Sequence, residues 1–195
     1  MTQIRYRTLH WSMDGDVATV ALDRPDARNA INAQMRSDLM HAFARAGREA
    51  RCILLTGAGD VFCAGQDMGE GRTLHDVDLG RALREEYAPL LATMRDLPIP
   101  TVAAVNGDAA GAGMQLALNC DVVVAELGLL PDAGGTWWLP RLIGPARALG
   151  MALFAEPVTA AEAVDWGLIW EVAPDADLLR RAHARAQALA AGPTH

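Results

Sequence analysis

The chain has 195 residues, 51% of them hydrophobic, and a formal net charge of −7. That length supports one domain with a buried core. The acidic balance, with no basic run, argues against nucleic acid or an anionic membrane surface as a partner. No stretch reads as a signal peptide or as an apolar run long enough to cross a bilayer, so the expected location is cytoplasmic. All seventeen basic residues are arginine, and a chain without lysine has neither Schiff-base nor P-loop lysine chemistry. The two serines, Ser12 and Ser37, fall in a strand and a helix rather than on a nucleophile elbow, which argues against serine hydrolysis. Cys52, Cys63 and Cys120 form no Cys-x-x-Cys pair, and the five histidines are scattered. No metal site and no covalently bound cofactor is therefore expected.

In chain order, residues 5–12 and 17–22 read as hairpin strands around Asp14-Gly15-Asp16. After a turn-rich loop at 24–30, Asn32 is the predicted N-cap of a helix reaching about Arg48. That helix has Met35, Leu39, Ala42 and Phe43 on one face. A short buried strand at 52–56 breaks at Gly57-Ala58-Gly59-Asp60. The polar, glycine-bearing stretch 69–78 is expected to be a mobile surface loop. Residues 79–97 have helical spacing, with Leu83, Tyr87, Leu90, Leu91 and Met94 inward, and Pro98 and Pro100 end the run. A strand at 101–106, a helix at 111–119 and a strand at 121–125 follow. Beyond a tight loop at 129–136 the chain is helix-rich, with helices at 145–154, 160–166 and 175–191. Alternating apolar strands and helices predict an α/β fold whose sheet is parallel and covered on both faces. No sequence repeat or low-complexity linker is evident.

Two turns of small residues carry the chemistry. Ala109-Ala110-Gly111-Ala112-Gly113-Met114-Gln115 follows one apolar strand, and Cys63-Ala64-Gly65-Gln66-Asp67 follows another. Small side chains leave backbone N–H groups bare, and such donors suit negative charge developing on an oxygen. One donor from each turn makes an oxyanion hole from main chain alone. By spacing alone, Gly111-Ala112-Gly113 reads equally well as close helix packing. A dinucleotide fingerprint fails because Leu116 stands where its third glycine belongs. Asp132, by spacing alone, reads as a cap of the helix starting near Thr136 or as an Asx turn. Gln115 is either a polar helix residue or one that lines a pocket and orients substrate. Cys63 lies beside a glycine turn but has no histidine nearby in sequence to act as its base.

Phe62-Cys63-Ala64-Gly65-Gln66-Asp67, Val102-Ala103-Ala104-Val105-Asn106-Gly107, Gly111-Ala112-Gly113, Cys120-Asp121, Pro131-Asp132-Ala133-Gly134-Gly135-Thr136 and Leu139-Pro140-Arg141-Leu142-Ile143-Gly144 resemble the crotonase (enoyl-CoA hydratase/isomerase) superfamily, in the family's order. Ala160, Glu162 and Ala163 with Trp166-Gly167-Leu168-Ile169 add its later helix and strand. The resemblance implies a crotonase-like spiral of ββα units over residues 1–144, with a helical C-terminal region at 145–195. It implies an acyl-CoA thioester substrate, so that coenzyme A arrives as part of the substrate. It also implies a homotrimer or a hexamer built as a dimer of trimers. The N–H groups of Gln66 and Ala112 match the two oxyanion-hole positions. Ala64, Gly65, Asp67 and Met68, with Gly111, Gly113 and Gln115, match substrate- and CoA-binding positions.

Hydratases of this family use two glutamates. The first matches Gln115, which exchanges no proton at neutral pH, and the second has no counterpart here. In isomerase branches an aspartate of the Pro-Asp-x-Gly-Gly loop acts as base, and Asp132 matches it. The Asp132–Trp137 and Trp166–Trp170 stretches most resemble the phenylacetate-pathway 1,2-epoxyphenylacetyl-CoA isomerases. The resemblance therefore implies an acyl-CoA isomerase in aromatic or fatty acid degradation. The alternatives are an enoyl-CoA hydratase and a non-catalytic CoA-binding member of the family. Two departures stand out. About a dozen residues that the family places between Glu126 and Leu127 are missing. The chain also ends at Gly192-Pro193-Thr194-His195, where relatives continue into further helices. The first reads as a stretch left out rather than a real shortening. A Cα separation between Glu126 and Leu127 well above the ~3.8 Å of bonded neighbours would reveal it.

Overall fold

The computed structural model describes residues 2–69, 78–125, 129–130, 135–154 and 156–193. The chain enters through antiparallel strands β1 (Thr2–Arg5), β2 (Leu9–Asp14) and β3 (Val17–Leu22). Asn32 then caps α1 (Ala33–Glu49), accepting the Met35 N–H on its side-chain oxygen at 2.8 Å. Such a cap stabilises a helix by about 1 kcal/mol.

From here one unit recurs three times. The first is β4 (Cys52–Gly57), β5 (Val61–Cys63), then α2 (Leu79–Ala82), a π-helical turn (Leu83–Tyr87) and α3 (Ala88–Arg95). The second is β6 (Thr101–Val105), β7 (Asp108–Ala110) and α4 (Ala112–Leu118). The third is β8 (Val122–Ala125), β9 (Leu129–Leu130) and α5 (Gly135–Ile143). The leading strands stack in parallel within a seven-stranded sheet of order β1-β2-β3-β4-β6-β8, with Glu171–Val172 (β10) at its edge. The second strands form a small parallel sheet, β5-β7-β9. This is the spiral of ββα units that the resemblance implied. The chain finishes with α6 (Pro145–Phe154), α7 (Ala160–Asp165), β10 (Glu171–Val172) beside β8, and α8 (Asp175–Ala190).

The strand period of two divides the large sheet cleanly. Ile53, Leu55, Ala103, Val105, Val123 and Ala125 face the main core, with Met35, Leu39 and Phe43 of α1 and Phe62 of β5. Cys52, Leu54, Val102, Ala104 and Val124 face the other way, onto Leu178, Ala182, Ala186 and Ala190 of α8. Both faces are covered, which is why these strands read as unbroken apolar runs.

Two expectations need correction or completion. The small sheet is absent from the sequence reading, because strands of two or three residues show no alternation to detect. Leu83 is 51% exposed rather than inward, whereas Tyr87, Leu90 and Met94 are buried; the π-helical turn changes the angular step and leaves Leu83 off their stripe. In the sequence, three residues separate β8 from β9. The expected omission between Glu126 and Leu127 lies outside the described residues. Residues 70–77, assigned to a surface loop, lie outside the described residues.

Candidate active site

The two small-residue turns meet at one place. A side-chain carbon added at Gly65 would lie 2.8 Å from the Ala110 carbonyl oxygen and 3.4 Å from the Ala112 nitrogen, and Gly65 has φ +95°. A carbon added at Gly113 would lie 2.2 Å from the Cys63 carbonyl oxygen. Only glycine lets the start of α4 approach the end of β5 this closely.

The direction of each N–H follows from peptide planarity. The Gly65 carbonyl accepts the Ile31 N–H at 2.7 Å, and the Asp67 N–H donates back to the Ile31 carbonyl at 3.0 Å. In a trans peptide the N–H points opposite to the C=O. The Gln66 N–H therefore points away from Ile31. The Gly111 carbonyl accepts the Gln115 N–H at 3.2 Å, along the axis of α4. By the same reasoning the Ala112 N–H points back out of the helix start. Among the described residues neither N–H has a backbone acceptor. Ala112 and Gln66 are partly exposed, between a buried Gly65 and a buried Gly111.

The Gln66 side chain is fully engaged on its other side. Its Oε1 accepts the Tyr87 hydroxyl and Arg36 Nη1, the latter at 3.3 Å, and its Nε2 donates to the Asp67 carbonyl at 3.0 Å. Arg36 is itself buried, pairs with Glu86 and lies 5.1 Å from the Tyr87 ring centroid. Burial pushes the Tyr87 phenol up to about 12, so it is a neutral donor across the physiological range. Neither Arg36 nor Glu86 was singled out from the sequence, and Tyr87 was read only as an inward core residue. The available signal was an arginine beside Met35 on the core-facing side of α1.

Asp67 holds the loop that follows. Its carboxylate accepts Arg24 Nη1 at 2.7 Å and the Gly69 N–H at 2.8 Å. The Arg24 hydrogen bond holds the carboxyl below its usual range, so Asp67 stays ionised and committed. Gln66, Asp67 and Met68 line a cleft of about 560 Å³ with Asn32, Arg36 and Glu86. The Ala64 N–H is tied to the Arg28 carbonyl at 3.0 Å. One helical turn from Ala112, Gln115 is 7% exposed and its Nε2 finds no partner among the described residues. The Cys63 thiol is buried against the Asn29 carbonyl at 3.1 Å, and burial pushes it up to about 12, which removes it as a nucleophile. Asp132 and its neighbours Pro131, Ala133 and Gly134 lie outside the described residues. The structure thus gathers Gln66, Ala112, Gly65, Gly111 and Gly113 at one point, with Asp67 and Met68 on the adjoining cleft. Among the described residues no three His, Cys, Asp or Glu side chains group as metal ligands, and no helix is long and apolar enough to cross a membrane.

Known proteins with this sequence pattern and fold agree on a family. The chain is 51% identical to a probable enoyl-CoA hydratase of Rhodobacter capsulatus, over 97% of its own length and 77% of that protein's. It is 43% identical to the 1,2-epoxyphenylacetyl-CoA isomerase of Escherichia coli, over 91% and 74%. Among solved structures it resembles an enoyl-CoA hydratase from Bacillus anthracis (TM-score 0.86, 30% identity, covering 96% and 78%). It resembles a monofunctional enoyl CoA isomerase from M. smegmatis nearly as well (TM-score 0.83, 30% identity, covering 96% and 87%). Residues 12–195 match the profile described as enoyl-CoA hydratase/isomerase, and the chain belongs to that family, the crotonase superfamily.

Proposed function

We propose that this chain is an acyl-CoA isomerase that moves a double bond, or opens a strained ring, next to a CoA thioester. The observation that supports the reading is the close approach of the two small-residue turns that follow β5 and β7, with the Gln66 and Ala112 N–H groups each lacking a backbone acceptor among the described residues. A thioester oxygen held there gains two preset donors as the enolate forms. One such donor commonly contributes about 3–4 kcal/mol to lowering the barrier. Asp132 is the proton shuttle: its carboxylate takes the proton alpha to the thioester and returns it farther along the conjugated system. Ala64, Gly65, Asp67 and Met68 cradle the CoA, and Gly111, Gly113 and Gln115 line the acyl side. Similarity to the E. coli isomerase supports an aryl-acetyl thioester as the substrate, and phenylacetate breakdown in the cytoplasm is the setting that goes with it. The test is Asp132→Asn, assayed on a panel of aryl and alkyl enoyl-CoA esters. Isomerisation is expected to vanish while CoA binding persists; unchanged turnover removes Asp132 from the mechanism.

A hydratase is the second reading, favoured by the R. capsulatus relative. Gln115 weighs against it, because a carboxamide cannot exchange a proton as a glutamate does. Product mass separates the two, since hydration adds one water and isomerisation adds nothing. A wild-type protein inert toward every enoyl thioester would instead support the non-catalytic CoA-binding reading. Assembly as a homotrimer or dimer of trimers is supported by Leu149, Leu153 and Phe154, each at least 60% exposed on α6. Light scattering on the eluting protein reads the copy number, and a monomer refutes it.

A further inference from the structure

We propose that Tyr87 and Arg36 form a brace that sets the position of the Gln66 peptide, acting on the reaction through the Gln66 side chain rather than on the substrate. This rests on the oxyanion reading above. The Gly65–Gln66 peptide is fixed from below by Ile31, which takes the carbonyl on one side of Gln66 and the N–H on the other. Those bonds leave Gln66 free to rock about the strand axis. The side chain removes that freedom, because the carboxamide oxygen accepts from both Tyr87 and Arg36 and the nitrogen holds the Asp67 carbonyl. With two donors on its oxygen and an acceptor on its nitrogen, the carboxamide is committed to the protein.

The brace also has its own support. Arg36 is buried, and a buried guanidinium without a counter-charge is costly. Glu86 supplies that charge, and the Tyr87 ring lies against the same guanidinium. Glu86 and Tyr87 are adjacent at the end of the π-helical turn Leu83–Tyr87. Such turns are rare and often mark functional sites. The brace therefore links three parts of the chain that the sequence keeps far apart: α1, the π-helical turn and the strand end carrying the donor. An N–H displaced by an ångström can cost about a hundredfold in rate even when the altered residue is remote from the chemistry.

The experiment compares wild type with Tyr87→Phe, Gln66→Met and the double variant. It reads kcat, KM and the red shift of a chromophoric aryl-acryloyl-CoA thioester on binding, which reports polarisation of its carbonyl. Each single variant is expected to lose about tenfold in kcat, with KM within about twofold and a smaller red shift. The double is expected to be no worse than the poorer single, because both changes break the same link. Arg36→Lys, which keeps the charge but not the fork, is expected to fall between wild type and Arg36→Met. Losses that multiply in the double variant, losses confined to KM, or a red shift undiminished in the variants overturn the brace. Should Tyr87→Phe fail to fold, the Arg36 pair carries the same test. A wild type that shows neither turnover nor red shift overturns the oxyanion reading and the brace with it.

Discussion

Gly113→Ala tests the site with a single carbon. That carbon would stand 2.2 Å from the Cys63 carbonyl oxygen, 2.7 Å from Cys63 Cβ and 2.8 Å from Cys63 Sγ. The nearest of these is backbone, and separations under 3.0 Å are essentially never seen, so α4 must withdraw by ~0.8 Å or β5 must yield. Overpacking of this kind costs about 1–3 kcal/mol. The same withdrawal carries the Ala112 N–H away from Gln66, and a shift approaching 1 Å lowers turnover by about a hundredfold. The assay is kcat/KM on an enoyl-CoA substrate alongside a urea unfolding curve. Gly150→Ala on α6 is the control, since nothing lies within 4 Å of its added carbon. It should gain about 0.5–1 kcal/mol from helix propensity and keep full activity. A Gly113→Ala enzyme within threefold of wild type, at wild-type stability, would refute the claim that close approach of these turns makes the site.

Two further outcomes follow from buried charge and buried thiols. Burial pushes Cys52, Cys63 and Cys120 each up to about 12; a thiol reagent at pH 8 should label none of them in the native protein and all three in guanidinium, and rapid native labelling of Cys63 would refute its assignment as inert. The Asp67 carboxyl is lower in the folded than in the unfolded chain, so its ion pair with Arg24 adds stability at neutral pH that disappears as pH falls through the folded value. Asp67→Asn should therefore cost about 0.5–1 kcal/mol at pH 7 and progressively less as pH falls below the ordinary carboxylate range, read from urea midpoints; a deficit that does not shrink in acid refutes the pairing as its cause.

Local chemistry was readable where a short segment decides its own conformation. Asn32 announces the start of α1, Asp14-Gly15-Asp16 the turn between β2 and β3, and the glycines around positions 65 and 111–113 the two bare turns. Contacts between distant segments were not. The pairing of β5, β7 and β9 depends on strands too short for alternation, brought together only when the large sheet stacks. The link from Arg36 and Tyr87 to Gln66 crosses three separate elements, and no spacing rule relates those positions. Leu83 was misplaced because an α-helical step was applied across a π-helical turn. The omission expected between Glu126 and Leu127 rests on the length that the family resemblance sets, and both residues lie outside the described residues.

The two amides proposed to hold the thioester oxygen come from successive windings of the spiral: Gln66 follows the second strand of one, and Ala112 opens the helix of the next. Neither winding supplies both proposed donors by itself. On that reading a nascent chain emerging from the ribosome is inert until its second layer has settled on the first, and a proteolytic cut between them silences the protein only where the two pieces part.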